Sequence, residues 1–267
     1  MVMLIEVCMK YMYACQTDIG ISRSSNQDSL IMKTIKSRRN TALLAAVCDG
    51  VGGLSKGEVT SRKTVKMLGE WADYELPCLL EQDKTGEILR RRFRQQLMEI
   101  NREIFYGNKR SGIESGTTLT ALVMWNYRYL LGHVGDSRAY AITRQVRQMT
   151  TDHSWVAQEV AAGRITAEEA EKSAKKNVIL KCIGADETLE PQVEEGQICE
   201  DTVFLLCTDG FWHHIAKNEW LPYFSPERIH GEELLRANLF HLFSQVKCRG
   251  ENDNITAAAI KVFRERK

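Results

Sequence analysis

The sequence predicts an α+β fold in which helices pack outside antiparallel sheets. Three observations lead there. Strand-like apolar runs gather toward both ends of the 267-residue chain, amphipathic patterns lie between them, and several runs are joined by links short enough to demand antiparallel pairing. This length supports one large domain or two small ones with a sizeable core. Apolar residues make up 43% and prolines number only four, which argues against extensive disorder. Lys+Arg at 36 against Asp+Glu at 35 leaves a net charge of +1. No global field draws the chain to nucleic acid or membrane, so selectivity has to come from a site.

Met1–Val7 is apolar but is interrupted by Glu6 and followed by Lys10, short of an export signal or a membrane span. It is expected as an edge strand or short extension before a strand at Tyr11–Thr17. From Glu58 to Tyr74, the spacing of Val65, Leu68 and Ala72 fits one helical face, with Gly69 lowering the propensity. Gly86–Tyr106 is the stronger helix: Leu89, Phe93, Leu97, Ile100 and Ile104 share a face, and Arg90, Arg91, Arg94 and Glu99 fall on others. With charge balanced overall, those arginines read as a solvated face. This pair of helices should cover one side of a sheet.

Strands at Thr117–Trp125, Arg128–Val134 and Ser137–Thr143 follow, joined by Asn126-Tyr127 and Gly135-Asp136, and are expected to form an antiparallel meander. Residues 150–190 break that rhythm. They are polar and rich in Ala, Glu and Lys, with helices expected at Ser154–Ala162 and Thr166–Ala174, the second opened by a Thr166/Glu169 capping box. Such an insertion is either a flap that touches substrate or a plain surface excursion. Val203–Cys207 is expected in a further strand pair. Ser225-Pro226 should open a last helix carrying Leu234, Leu235, Leu239, Leu242 and Val246, ended by Gly250 before the strand Ile255–Ile260. Eight cysteines are scattered without a Cys-x-x-Cys pair and read as reduced core residues of a cytosolic protein.

Three apolar runs carry an aspartate at one tip. Ala42–Cys48 leads into Asp49-Gly50, Val203–Cys207 leads into Thr208-Asp209-Gly210, and Asp253-Asn254 opens Ile255–Ile260. Two runs finish at their acid and the third begins at it, so antiparallel neighbours bring the three carboxylates to the same rim of a sheet. Magnesium and manganese require oxygen ligands of this kind. Each Asp-Gly is equally an ordinary turn dipeptide.

Seven segments in order carry a family resemblance. They are Thr17-Asp18-Ile19-Gly20 with Arg23 and Asn26-Gln27-Asp28, Asp49-Gly50-Val51-Gly52-Gly53, Ser115-Gly116-Thr117-Thr118, Val134-Gly135-Asp136-Ser137-Arg138, Thr150-x-Asp152-His153-Ser154, Cys207-Thr208-Asp209-Gly210 and Asp253-Asn254-Ile255-Thr256. From Tyr11 to Val262 the chain resembles the type 2C, metal-dependent serine/threonine protein phosphatases, in the manner of their compact bacterial members, whose flap is similar to Ser154–Gly184. The resemblance implies a four-layer α-β-β-α sandwich, two antiparallel sheets flanked by helices, as a single phosphatase domain over 1–267 with the flap within 150–190.

It further implies that Asp49 bridges two Mn2+ or Mg2+ ions, that the Gly50 carbonyl binds one, and that Asp209 and Asp253 complete the other. Asp136 would hold a third ion or else serve as a hairpin turn residue. Arg23 would bind the phosphoryl group through its planar fork, and Asp28 would hydrogen-bond water on the metals. Gly50, Gly52 and Gly53 would let the backbone approach the ions. The implied activity is hydrolysis of phosphoserine and phosphothreonine with metal-activated water and no covalent intermediate. Its setting would be cytoplasmic bacterial signalling by a monomer, acting on phosphorylated proteins that include a serine/threonine kinase.

Four positions depart from the pattern. Gln27 stands where most relatives carry glutamate, His213 and His214 where an acid near the third metal is common, and Val51 where many eukaryotic relatives have histidine. His133 is expected as a satisfied core residue and His153 as a candidate substrate contact, with Trp155 and Trp212 packing or lining the cleft. No thiolate cradle or Walker loop offers a competing chemistry. The rival readings are a non-catalytic module that binds a phosphoprotein or kinase, and a phosphohydrolase of small molecules.

Overall fold

The computed structural model describes residues 9–38, 40–51, 56–83 and 85–264. The expected extension at Met1–Val7, together with Cys8, Gly52 and Gly53, lies outside them. In chain order the strands are β1 (Met9–Asp18), β2 (Ser29–Lys36), β3 (Thr41–Cys48), β4 (Leu119–Trp125), β5 (Arg128–Val134), β6 (Arg138–Ile142), β7 (Val146–Gln148), β8 (Gln192–Gln197), β9 (Thr202–Cys207) and β10 (Ile255–Arg264). The helices are α1 (Gly57–Tyr74), α2 (Leu76–Gln82), α3 (Glu87–Ser111), α4 (Trp155–Ala161), α5 (Ala167–Lys172), α6 (Asp209–Trp212), α7 (Leu221–Phe224) and α8 (Glu232–Cys248). Two antiparallel sheets result, ordered β1-β10-β9-β6-β7 and β2-β3-β4-β5-β8.

Strand β3 shows why the apolar runs are continuous rather than alternating. Leu43, Ala45 and Val47 point into the layer between the sheets, where they meet Leu122, Met124, Phe204, Leu206, Ala258 and Ile260. Ala42, Leu44, Ala46 and Cys48 point the other way, under Leu68 and Trp71 of α1 and Phe93 and Leu97 of α3. A strand buried on both faces needs apolar residues at every position. The outer face of the first sheet is covered by α6, α7 and α8, through Phe211, Phe224, Leu235, Leu239 and Phe243. These three cores give the four-layer α-β-β-α order that the resemblance implies.

Several elements differ from the expectations. The three-strand meander breaks after its first hairpin: β4 pairs β5, but the chain then crosses to the other sheet, where β6 pairs β9 and β7. Gly135, at φ +108°, makes that crossing, so Asp136 sits between the sheets rather than in a hairpin turn. Likewise β8 pairs β5 while β9 pairs β10, so Val203–Cys207 has no partner from its own neighbourhood. The last helix starts at Glu232, since residues 225–231 form turns, and Leu234 faces solvent at 41% exposure. Helix α3 runs to Ser111 and is closed by Gly112 at φ +64°. Its last residues are polar, which is why the apolar period stops at Ile104.

The sequence reading did not single out α2, α6, α7, β2, β7 or β8. Gly69 does more than lower propensity, because a Cβ there would lie 2.7 Å from Ile31 Cδ1; the glycine lets α1 settle on β2. Of the described cysteines only Cys48 and Cys207 are core, while Cys15, Cys78, Cys199 and Cys248 are exposed and Cys182 is half-buried. Among the described residues no helix is long and apolar enough to cross a membrane.

His133 is a satisfied core residue, as expected. Its Nδ1 lies 2.9 Å from Thr120 Oγ1 and its Nε2 3.2 Å from the Thr151 carbonyl. A carbonyl only accepts, so Nε2 carries the proton and Nδ1 accepts from the hydroxyl. Burial, with the neighbouring His153 adding to it, pushes the imidazole down to about 3. The unfolded chain takes up a proton below about 6.5 that the folded chain refuses. Stability from this residue is therefore whole above that pH and falls on acidification by about 1.4 kcal/mol per pH unit. His133→Gln should flatten the loss of stability between pH 6.5 and 4.5 in urea unfolding; an unchanged slope would refute the assignment.

Candidate functional site

Strand register assembles the site. Ser29 opposite Cys48 sets Asp28 and Asp49 side by side at the end of the second sheet. Thr17 opposite Thr256 and Ala257 opposite Cys207 bring Asp253 and Asp209 to the same end of the first. The aspartates therefore converge from two sheets across the sandwich, not along the rim of one sheet as expected.

Threonines and one glutamate hold the backbones. The Asp49 N–H donates to Thr118 Oγ1 at 2.9 Å, and its carbonyl accepts from Thr117 Oγ1 at 2.7 Å and Thr118 N at 2.8 Å. Asp209 opens α6 directly after Thr208, whose hydroxyl donates to Asp28 Oδ2 at 2.9 Å and accepts from Thr256 N at 3.0 Å. Glu251 Oε1 accepts from Asn252 N at 2.7 Å and Asp253 N at 2.8 Å. Asn254 accepts from Gln27 N at 2.8 Å and donates to Ile19 O at 2.8 Å and Ser25 O at 3.1 Å, sewing the Arg23 loop to the Asp253 strand. A Cβ on Gly50 would lie 2.6 Å from the Gly57 carbonyl carbon, and one on Gly210 would lie 2.2 Å from Asn254 O. Only glycine permits such approaches.

The acids strain against one another. Burial, then the charges of Asp209 and Asp253, push Asp28 up to about 7. Burial and Asp253 push Asp209 up to about 6, although a hydrogen-bonding contact with Asp49 works the other way. Asp49 is held well above the carboxylate range by burial and by Asp28, Asp209, Asp136 and Asp253; Asp136 is raised by burial and Asp209. The Oδ1 atoms of Asp28, Asp136 and Asp209 are buried without a hydrogen-bond partner. An all-oxygen donor set with orphaned atoms and mutual repulsion fits a hard divalent cation. Among the described residues no three His, Cys, Asp or Glu side chains are arranged as a group that could hold a metal ion.

Arg23 faces this group. It forks onto Asp253, Nε to Oδ1 at 2.9 Å and Nη2 to Oδ2 at 2.6 Å, and Asp49 and Asp209 further stabilise its charge. With side chains 43% and 34% exposed, the pair adds only about 0–1 kcal/mol to stability. Its importance lies in placement.

The remaining sequence candidates divide. Asp136 joins the site, and its carbonyl accepts from Trp212 Nε1 at 3.3 Å. Trp212 also stacks on the Arg138 guanidinium, 3.3 Å from the ring centroid, while Arg138 forks onto Asp152. His153 turns inward: its Nδ1 accepts from Gly135 N at 3.1 Å, and its ring stacks on His133 at 5.0 Å. It braces the Asp136 crossing rather than offering itself to substrate. His213 lies 4.0 Å from Asp209 Oδ2 but also 3.9 Å from Glu251, and His214 lies 3.3 Å from Glu251. Burial pushes His213 down to about 4, so it is neutral. The side-chain amide of Gln27 lies 3.5 Å from Glu58 Oε2, while its backbone carbonyl accepts from Gly50 N and Ser61 Oγ. Trp155 packs under Lys175. The sequence reading missed Glu251 and the role of Thr208; proximity to Asp253 and Asp209 was the only signal available. Arg23, Asp136 and Asp253 line a cleft of about 1740 Å³ together with residues of α4 and α5.

Residues 21–238 match the family described as protein phosphatase 2C. The serine/threonine phosphatase stp of Listeria monocytogenes serovar 1/2a is 29% identical over 249 residues, 92% of this chain and 94% of that protein. Protein phosphatase PhpP of Streptococcus pneumoniae serotype 2 is 32% identical over 206 residues, 76% of this chain and 80% of that one. Among solved structures, the serine/threonine phosphatase Stp1 from Staphylococcus aureus has a TM-score of 0.81 at 25% identity, covering 98% of both chains. The catalytic domain of the phosphatase PstP, in complex with 2 manganese ions, has a TM-score of 0.77 at 26% identity, covering 96% of this chain and 99% of that one.

Acids held above the usual carboxylate range keep protons that the unfolded chain sheds near pH 4. In chelator, stability should therefore fall as pH rises from about 4 to about 7. Manganese should raise the Tm more at pH 7.5 than at pH 5.0, where protons already neutralise the cluster. Asp209→Asn should raise stability in chelator at pH 7.5 and remove most of the manganese effect. An equal Tm rise at both pH values, or one preserved in the variant, would contradict this reading.

Proposed function

The chain belongs to the protein phosphatase 2C family, and on that footing we propose that it is a metal-dependent phosphatase of phosphoserine and phosphothreonine in proteins. In this reading it is one domain over 1–267 with a flap at 150–190. The observation that carries the reading is the convergence of Asp49, Asp209 and Asp253 from two sheets beside Asp28 and Asp136, where Asp28, Asp136 and Asp209 each keep a buried oxygen without a hydrogen-bond partner and Arg23 faces the group. A pair of Mn2+ or Mg2+ ions, when bound, would lower the pKa of a water and offset phosphoryl charge.

The chain's own residues position the reaction. Asp49 lies between the acids of both sheets and would hold both ions, with the Gly50 carbonyl on one and Asp209 and Asp253 on the other. Asp136, raised by Asp209, would share a third ion with it. Asp28, held by Thr208, would accept from the attacking water and orient it. The planar fork that Arg23 now sets on Asp253 is the one it would set on two phosphoryl oxygens. No residue need form a covalent bond to phosphorus. The buried Cys207 and Cys48 thiols are pushed up by burial and would make poor nucleophiles.

The substrates in this reading are phosphorylated proteins, a serine/threonine kinase among them. A non-catalytic binding module would have no use for clustered, mutually repelling acids. Its one support besides His213 was Gln27, which serves the site through its backbone.

Phosphate release from a phosphothreonine peptide should require added manganese or magnesium and stop with EDTA. Asp49→Ala should lower kcat by about 10³, the scale of losing a main electrostatic group, without loss of fold by circular dichroism. Release that persists in chelator, or wild-type turnover in Asp49→Ala, would reject the two-metal reading. Arg23→Ala should raise KM about tenfold and, by freeing Asp253, tighten manganese binding measured by calorimetry. Weaker manganese binding would show that the fork supports Asp253 instead of competing for it.

A further inference from the structure

Asp209 and Trp212 stand three residues apart on α6, a spacing that sets two side chains on one face of a helical turn. The indole Nε1–H donates to the Asp136 carbonyl at 3.3 Å. One short helix therefore carries an acid of the site and a direct bond to the backbone of another. The ring is itself clamped. The Arg138 guanidinium carbon lies 3.3 Å from its centroid, and Arg138 forks onto Asp152, Nε to Oδ1 at 3.0 Å and Nη2 to Oδ2 at 2.6 Å, while Nη1 donates to the Tyr140 hydroxyl at 3.2 Å. With side chains 19% and 9% exposed, this pair is shielded from solvent, where a bidentate fork holds its geometry.

The bonds around Asp136 fall on backbone. Gly135 N donates to His153 Nδ1 at 3.1 Å, the Gly135 carbonyl accepts from His153 N at 2.7 Å, and the Ser137 carbonyl accepts from Thr120 Oγ1 at 3.0 Å. The Asp136 carboxylate keeps Oδ1 buried and without a partner, and it is repelled by the charge of Asp209.

We propose that Trp212 is a positioning residue that fixes the span between Asp136 and Asp209, holding two mutually repelling carboxylates close enough to share a third divalent ion. The proposal rests on the reading above that gives such an ion to these two acids. The choice of donor has a physical reason. A lysine or arginine here would pair with the carboxylates and compete with a cation, whereas an indole offers one neutral N–H. Arg138 commits its fork to Asp152 and steadies the ring through its face.

The test uses the full chain without substrate and counts bound manganese from the electron paramagnetic resonance signal of the free ion. The wild type should bind two ions tightly and a third more weakly. Trp212→Phe keeps an aromatic face for Arg138 but loses the N–H. It should weaken the third ion about tenfold, the scale of one hydrogen bond, and leave the first two unchanged; Asp136→Asn should also lose the third. Should Trp212→Phe fail to fold by circular dichroism, β-(3-benzothienyl)alanine at position 212, in which sulfur replaces the indole N–H, carries the same expectation. An unchanged third constant would overturn the assignment, and so would equal weakening of all three ions, which marks a general packing role. A wild type that hydrolyses p-nitrophenyl phosphate with manganese but takes up no third ion would overturn it too, leaving the phosphatase reading in place. A third ion weakened in Trp212→Phe, in a wild type without manganese-dependent hydrolysis, would instead support the positioning role and remove the phosphatase reading.

Discussion

Mutual repulsion among buried carboxylates is the constraint on which the rest of this structure turns. Asp28, Asp49, Asp136 and Asp209 are all pushed above the ordinary carboxylate range by burial and by one another, and three of them keep an oxygen with no hydrogen-bond partner. Groups so arranged destabilise a fold unless something neutralises them. Arg23 supplies part of the balance through Asp253, and the donor set is suited to divalent cations for the remainder.

Such a cluster persists because the scaffold beneath it is stiff. The layer between the sheets and the two outer layers are close-packed, and β3 and β9, which deliver Asp49 and Asp209, are apolar on both faces. Interiors of this kind transmit strain rather than absorb it. The strand ends therefore cannot drift apart to relieve the repulsion. The register that places Ser29 opposite Cys48 and Ala257 opposite Cys207 is in effect the geometry of the site.

Between the stiff layers and the acids lies a polar collar. Thr117 and Thr118 occupy the backbone groups of Asp49, Thr208 reaches Asp28, Glu251 holds the Asp253 amide, and Asn254 ties down the Arg23 loop. Backbone groups satisfied in this way leave the side chains as the free polar groups of the rim. Helices α4 and α5 follow the opposite rule, with no buried residue.

Much of this was legible in the amino-acid order. The two-face burial of β3 was written in an unbroken apolar run, α3 in its period, α5 in its Thr166/Glu169 capping box, and Asp49, Asp209 and Asp253 in their places at strand tips. Those are local signals, since side-chain pattern and chain direction settle them without knowledge of what lies opposite. What pairs with what was settled only in three dimensions. A two-residue link reads as a hairpin, yet at Gly135-Asp136 the chain changes sheets, and that change makes Asp136 part of the site. Thr208 and the inward turn of His153 carry no local mark, because their partners, Asp28 and Gly135, lie elsewhere along the chain. The sequence by itself determined which residues could be acids at a rim, whereas tertiary packing decided that the rim belongs to two sheets, since only burial and register across the sandwich bring those charges close enough to act on one another.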